Sequence, residues 1–374
     1  MADHIIHPLG DTVLTLRQPN APFAPDSASI QGAKVTVGAT DDPSGDVRVA
    51  EAAVDSGSNE QAKPVTFLVS SQHLIMVSPM FKAMLTGEWS EAKKVDGVFH
   101  IGAEDWDVQA LTIFFNIVHS RNRQVPKQIS LELFAKIAVI VDYYKAHEAV
   151  EIVVDLWLVP LQLSLPTSIC RDLTLWVLIS WVFGKQSIFR HVTKVAMVRS
   201  SNTDPVKMPD GLPIPLSVEA KINERRQEVM ETIATRLRDL RDGYISGTAG
   251  CSFTCSAVLL GALIKNLVKL KLQEHGSSAI SLDSITIVQI AEGLSAVETP
   301  LWAFAPPQQR FSWSGGPLHS CPTQSSINYS TAFKLGVGEA IPKEFIRENA
   351  LVDFAADMIA GLKPRVAGLE LSDF

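Results

Sequence analysis

The sequence of 374 residues has few of the features that mark secreted, membrane-spanning or nucleic-acid-binding proteins. Four cysteines are too few for a disulfide scaffold, so we expect a reducing compartment, the cytoplasm or nucleus. The longest nearly apolar run, residues 173–183, is too short to span a bilayer and predicts a buried helix without membrane contact. Residues 1–10 do not have the composition of a signal peptide. Basic runs are missing, and the net charge of −7 argues against nucleic-acid binding.

Catalytic signatures are missing as well. The chain has no G-x-S-x-G motif, no P-loop and no dinucleotide fingerprint, and its carboxylates form no obvious acid–base pair. We therefore expect a protein that is not an enzyme and binds no organic cofactor. The alternative of another class is an enzyme in residues 160–374, which a deep polar pocket with convergent titratable groups would favour.

What the chain does have is apolar residues, at 46% of the total, and a sharply punctuated segment at residues 65–85. Its first five residues are β-branched, aromatic or aliphatic and predict a buried strand. Ser70 and Ser71 follow, and we expect them to accept hydrogen bonds at a helix start. Ser78 and Pro79 predict the cap and first residue of a second short helix.

The flanking segments predict two more strands and several helices. The segment at residues 21–63 differs from the rest of the chain in composition. It is rich in Ala, Ser, Asp, Gly and Pro and has a single aromatic residue. Such a composition buries too little apolar surface to offset its ordering entropy, and we expect a disordered insertion. The expected elements are strands at 10–16 and 97–101, a helix at 105–118 capped by Asp105, a helix at 131–144 capped by Ser130, and a helix at 146–158.

In order and spacing, these elements resemble the BTB/POZ domain in the form common in fungal proteins. The resemblance covers residues 10–158 apart from the insertion. It begins with Gly10 next to an aspartate and continues through an F…H…L…SP.F pattern in the punctuated segment. The residues of this structural motif are Asp11, Phe67, His73, Ser78, Pro79 and Phe81.

The resemblance implies an α+β fold, a small sheet with packed helices, followed by a mostly α-helical C-terminal region. It also implies structural roles for two polar residues: His73 makes local hydrogen bonds at a helix start, and Asp11 holds nearby backbone amides. The expected organisation is a first BTB strand region at 1–20, the disordered insertion at 21–63, the BTB/POZ core at 64–158, a helical extension at 159–200, a Pro-rich connector at 201–216 and a helical C-terminal region at 217–374.

The same resemblance implies an interaction module. Domains of this family homodimerise through the first two helices and the N-terminal strand. Many also recruit a cullin scaffold through the face near the helix expected here at residues 105–118. We therefore expect a homodimeric scaffold or regulator, with a substrate adaptor of a cullin-type ubiquitin ligase as the alternative.

Six residues are candidates for partner contacts. Three methionines recur at four-residue spacing, and they either adapt to a partner surface or line the core of the domain. A tryptophan after the second helix is either an interface anchor or a cap on the core. Two arginines in a loop either meet an acidic partner or belong to a solvated surface. These candidates are Met76, Met80, Met84, Trp89, Arg121 and Arg123.

The C-terminal half predicts further helices. A long amphipathic helix is expected to begin at Ser217 and end at Gly243. Its apolar side either packs on the next helix, at residues 255–272, or forms a partner surface. Another helix is expected at 343–360, with the last dozen residues frayed.

Four residues in this half have the chemistry of a structural zinc site. Cys251 and Cys255 lie one turn apart, and His319 and Cys321 follow in a later segment. Three thiolates and an imidazole form a tetrahedral ligand set, although the spacing differs from that of zinc fingers. The alternative is unrelated buried thiols and a loop histidine.

Overall fold

The protein has an α+β architecture. It contains a small mixed sheet, helices that cover one face of the sheet, and further helices later in the chain. In this computed structural model, the residues described are 2–24, 63–250, 252–273, 279–297, 358, 360 and 366–374. The chain divides into two compact units, Met1–Val192 with Met208–Pro215, and Thr193–Lys207 with Leu216–Phe374.

The sheet belongs to the first unit. Its strands are β1 (His4–Ile5), β2 (Thr12–Arg17), β3 (Val65–Val69) and β4 (Phe99–Glu104), in the spatial order β1-β3-β2-β4. β2 pairs antiparallel with β3, whereas β1–β3 and β2–β4 are parallel. The pairing of β2 with β3 joins segments on both sides of the predicted insertion, of which residues 25–62 lie outside the described chain.

Two details of the sheet differ from the prediction. β1 was not predicted, because a two-residue strand has no periodicity that a sequence pattern could reveal. β4 begins and ends later than the predicted strand at 97–101. It begins later because Gly97, with a positive φ of 82°, forms the turn before it.

One face of the sheet forms part of the hydrophobic core. Alternate residues of β2, β3 and β4 are buried, as expected for strands with one face against helices. Leu14 and Phe67 are opposite each other in the β2–β3 register, and both are fully buried. The Phe67 ring lies 5.6 Å from that of Phe115 on a covering helix. The buried apolar residues of the sheet are Leu14, Leu16, Phe67, Val69, Ile101 and Ala103.

The predicted helices of the first unit are present, with small shifts in their ends. Ser78 and Ser130 cap helices as predicted, accepting from Phe81 N–H at 3.0 Å and Leu133 N–H at 3.2 Å. Asp105 is not a cap, because Asp107 accepts from Ala110 N–H at 2.9 Å instead. The helices are α1 (Ser71–Val77), α2 (Pro79–Thr86), α3 (Val108–Val118), α4 (Leu131–Tyr144), α5 (His147–Leu161) and α6 (Arg171–Val182), followed by α7 (Gln186–Arg199), whose residues from Thr193 on belong to the second unit.

Helices α3 and α6 are the most buried elements of this unit. Eight residues of each are buried, and α6 contains most of the apolar run that predicted a buried helix. Phe183, just after α6, stacks on Phe134 of α4 with ring centroids 5.5 Å apart. Among the described residues, no helix combines the length and apolarity needed to cross a bilayer.

The second unit contains α8 (Leu216–Ser246), α9 (Phe253–Lys269) and α10 (Ile287–Ser295). α8 packs on α9, which confirms the packing interpretation of its apolar side. It is longer than predicted, because Ser217 lies within its first turn and the left-handed residue that follows it is Gly247, with φ of 78°. Arg226 of α8 is buried and donates to the Ser201 carbonyl.

The end of the chain also differs from the prediction. The described tail, residues 366–374, is docked onto its own unit. Leu369 is buried, and its N–H donates to Thr193 Oγ1 at 2.9 Å. Lys221 of α8 donates to the Asp373 carbonyl and lies 4.3 Å from the centroid of the Phe374 ring. The predicted helix at 343–360 falls largely outside the described residues.

Candidate interaction surface

Helices α1 and α2 present an exposed apolar surface. Met76 is 76% exposed and Met80 is 38% exposed, while Met84 is half-buried. Trp89, three residues beyond α2, is 65% exposed. The interpretation that the methionines line the core is therefore wrong for Met76 and Met80, and Trp89 does not cap the core. We call Met76, Met80 and Trp89 the methionine face.

A carboxylate from the sheet anchors the start of α1. The Asp11 carboxylate accepts from both the N–H and the Oγ of Ser71, each at 2.8 Å, and from Lys94 Nζ at 3.1 Å. Burial opposes ionisation of Asp11, but these hydrogen bonds and the lysine charge outweigh it and lower its pKa. The role predicted for Asp11 is confirmed. The predicted capping by Ser70 and Ser71 is wrong: Ser70 makes no side-chain cap bond, and Ser71 donates.

Gly10 allows this anchor to form. A Cβ at Gly10 would lie 2.6 Å from the Val69 carbonyl oxygen, which is closer than Cβ atoms and carbonyl oxygens approach. The missing side chain therefore lets the chain pass close to the end of β3, next to the start of α1. The following residue, Asp11, reaches Ser71 from there.

Ser78 and Phe81 anchor α2. Besides capping the helix, Ser78 Oγ donates to the Tyr144 carbonyl at the end of α4. The fully buried Phe81 ring stacks on Tyr144, with centroids 4.1 Å apart and planes inclined by 14°. Met76 and Met80 of the methionine face thus lie on two short helices whose starts are fixed by residues of distant elements.

A cluster of three histidines lies at the start of α1, and the sequence interpretation missed two of them. The buried His119 ring closes α3: Nδ1 bonds to the Phe115 carbonyl at 2.9 Å, and Nε2 accepts from Ser70 N–H at 3.0 Å. The ring centroids of His73 and His119 are 4.8 Å apart, and that of His7 is 5.6 Å from His73. Burial lowers the pKa of His119 to about 4, so the ring is neutral at physiological pH.

The local hydrogen bonding predicted for His73 is wrong at Nδ1, which is buried without a partner among the described residues. His119 is not available as a metal ligand, because both of its ring nitrogens already make hydrogen bonds. Within the described chain, no three or more His, Cys, Asp or Glu side chains form a group that could hold a metal ion.

The chain matches no protein-family model and no curated protein sequence. The fold and the surfaces of the described residues therefore provide the basis for interpreting its function. Of the four zinc-ligand candidates, Cys251, His319 and Cys321 lie outside these residues, and Cys255 is buried in α9.

The two arginine candidates differ from one another. Arg121 is half-buried and donates to the carbonyls of Ile5 and Ile6 at 3.2 and 3.0 Å. It therefore helps to fix the β1 segment, a contact that neither interpretation included. Arg123 is exposed in a short 3-10 helix.

A second exposed apolar surface lies on α5 and was not predicted. Its residues recur at spacings of four, three and four along the helix and just beyond it, a pattern that was visible in the sequence. A groove of about 700 Å³ beside them is lined by Ile117 at the end of α3, by Val125 and by the buried Trp157. We call these exposed residues the α5 stripe: Ile152, Leu156, Val159 and Leu163.

Proposed function

We propose that the protein is a BTB-type interaction module that homodimerises through the methionine face and has no catalytic role. The observation that carries the proposal is the exposure of Met76 and Met80 on two helices that are anchored beneath, with Trp89 exposed three residues beyond the second helix. An exposed group of large apolar side chains on an ordered surface is typical of a protein-binding site. Unbranched methionine side chains can repack against an irregular partner surface.

The order of the elements supports the BTB assignment. An antiparallel strand pair, two short helices, a parallel strand and three longer helices follow one another along the chain. This is the sequence of elements on which the resemblance rests. The motif residues Asp11, Ser78 and Phe81 also make contacts that hold the helix pair to the rest of the fold.

The proposal predicts that the variant Met76→Glu/Met80→Glu dimerises at least about tenfold more weakly than the wild type, because two carboxylates would lose water on association. Sedimentation equilibrium at micromolar concentrations measures the effect. Leu216→Glu/Phe253→Glu is the matched control, since it adds two carboxylates at exposed apolar positions of the second unit. A wild-type protein that sediments as a monomer would refute the proposal, as would equal effects of the two variants.

A cullin adaptor is the second candidate function, and the α5 stripe favours it. The resemblance implies a cullin contact near α3, and Ile117 of α3 lines the same groove as Ile152 and Leu156. An apolar groove of this kind can accept an amphipathic helix of a partner. This contact would leave the methionine face available for dimerisation.

The adaptor function predicts that a cullin co-purifies with the wild-type protein in stoichiometric amount and is lost from Leu156→Glu. Met76→Glu should retain it, because it alters the other surface. The measurement is affinity purification of the full chain followed by quantitative mass spectrometry. If no cullin is retained by the wild type, or if it is retained equally by Leu156→Glu, the adaptor function is wrong.

A further inference from the structure

Strand β4 is at the edge of the sheet, and half of its backbone groups have no partner among the described residues. Within the described part of the chain, β4 pairs only with β2. Phe99 N–H donates to the Asp11 carbonyl at 2.9 Å, and Asp105 N–H donates to Arg17 at 3.1 Å. Because backbone direction alternates along a strand, the N–H and C=O groups of residues 100, 102 and 104 point away from β2.

Empty space lies beside residues 100–104 of this edge, whereas the outward N–H and C=O of Val98, just before β4, pair with Val95 at 3.0 and 2.9 Å. A groove of about 700 Å³ runs along β4 and is lined on its other side by the segment that follows α2. His100, Gly102 and Glu104 are all exposed, and a Cβ placed on Gly102 meets no atom within 4 Å. An open edge with unpaired backbone groups is a template for the addition of another strand.

We propose that the occupant of this edge is β4 of a second copy of the chain, paired antiparallel about Gly102. Such a pair places Gly102 opposite its own symmetry mate and His100 of each copy opposite Glu104 of the other. The outward groups would form up to about six backbone hydrogen bonds. The two ends of the pair bring opposite charges together when the imidazole is protonated, and a His–carboxylate hydrogen bond otherwise.

The self-complementary pattern is the reason to favour a second copy over another partner. In an isologous pairing, residue i must suit residue j, and j must suit i. His100 and Glu104 are equally distant from Gly102 and meet this condition, and the central glycines bring no side chains into contact. Glu104 also bonds to Arg17 of its own chain at 3.0 Å, a contact on β2 that the added strand does not displace.

This interface goes beyond the proposed function, because it uses residues outside the methionine face. Two different isologous interfaces on one chain link dimers to one another, so the assembly grows past two copies. The β4 pairing predicts a species larger than a dimer at the upper end of the micromolar range.

The decisive variant is Gly102→Pro. Proline removes the Gly102 N–H, which points away from β2, so the β2–β4 ladder of the monomer is retained. We expect the dissociation constant of the β4–β4 association to rise about tenfold or more. Gly102→Ala, which keeps the N–H, should change this constant little. Sedimentation velocity on the full chain measures both, and thermal unfolding by circular dichroism verifies that each variant is folded.

Charge exchange provides a test that does not alter the backbone. His100→Glu alone places carboxylates opposite each other at both ends of the strand pair and should weaken the β4–β4 association. Glu104→Lys alone should also weaken this association. The double variant His100→Glu/Glu104→Lys restores opposite charges and should recover the association. If the double variant associates no better than the two single variants, or if Gly102→Pro matches the wild type, the β4 pairing is wrong.

The two interfaces can fail separately. If only the methionine-face proposal is wrong, Met76→Glu/Met80→Glu has no effect and Gly102→Pro alone produces a monomer. If only the β4 proposal is wrong, Gly102→Pro has no effect and the wild type stops at a dimer that Met76→Glu/Met80→Glu dissociates. If both are right, the combined variant is a monomer and each parent variant is a dimer.

Discussion

Replacing Phe81 with alanine is expected to lower the free energy of unfolding by about 3 to 5 kcal/mol, the range measured for large aromatic side chains in protein cores. The Phe81 side chain is fully buried, so its removal leaves a cavity between α2 and α4. The stacking with Tyr144 is lost with it, and aromatic pairs contribute beyond the area they bury. A loss of this size is a large share of the stability of a typical domain.

The matched control is Met80→Ala, the preceding residue on the same helix. Met80 is 38% exposed, so its truncation should cost less than about 1 kcal/mol in the free energy of unfolding. Urea unfolding followed by tryptophan fluorescence compares the two variants with the wild type. Similar losses for Phe81→Ala and Met80→Ala would contradict the view that α2 is fixed from beneath by its aromatic contact.

The elements encoded by neighbouring residues were predictable from the sequence. The strand at 65–69, the cap at Ser78 with Pro79 behind it, and the helix that Ser130 starts all depend on residues within a few positions of each other. For the two serine caps the hydrogen-bonding partner lies three residues along the chain, so the local pattern contains the whole interaction. The α+β class, which the resemblance implied, agrees with these elements.

The contacts that cross the fold were not predictable in the same way. The N-terminus of α1 was expected to be capped by its own serines, but Asp11 holds Ser71 from 60 positions away. The Ser70 N–H donates to His119, 49 positions away. A sequence shows which groups need partners at a helix end, but several distant side chains can supply them, and tertiary packing decides among them.

The candidate surfaces show a similar limit. Met80 and Met84 lie one turn apart on α2, and Met76 lies on α1 before the helix break at Ser78, but such spacing does not reveal whether another element covers these residues. The α5 stripe has the same kind of spacing and is likewise exposed. Periodicity thus predicts an apolar face, and only the arrangement of the other elements determines whether the face is core or surface.

His119 is expected to make the stability of the first unit depend on pH in a window above the usual range of carboxylates. The pKa of the folded-state ring is about 4, compared with 6.5 for an unperturbed histidine, because burial disfavours the imidazolium. Neighbouring positive charge from His7, His73 and Arg121 acts in the same direction. Between these two pKa values the unfolded chain binds a proton that the folded chain does not.

Stability is therefore complete above about pH 6.5 and falls as the pH decreases towards 4. The full pKa difference corresponds to somewhat over 3 kcal/mol, and water access to the cluster reduces it, so we expect a loss of about 2 to 3 kcal/mol. The pKa of Asp11 is lowered, and its contribution is lost only as the pH falls below the ordinary value of 3.8. The two effects occupy separate windows.

The variant His119→Gln tests this assignment. A glutamine oxygen can accept the Ser70 N–H but does not titrate, so the free energy of unfolding should become nearly flat between pH 6.5 and 4. His147 also has a pKa lowered by burial, but its side chain is 41% exposed, so His147→Gln should change the slope little. Urea unfolding at closely spaced pH values measures all three proteins. A His119→Gln variant that retains the wild-type slope would show that the imidazole cluster does not control the acid sensitivity of α1.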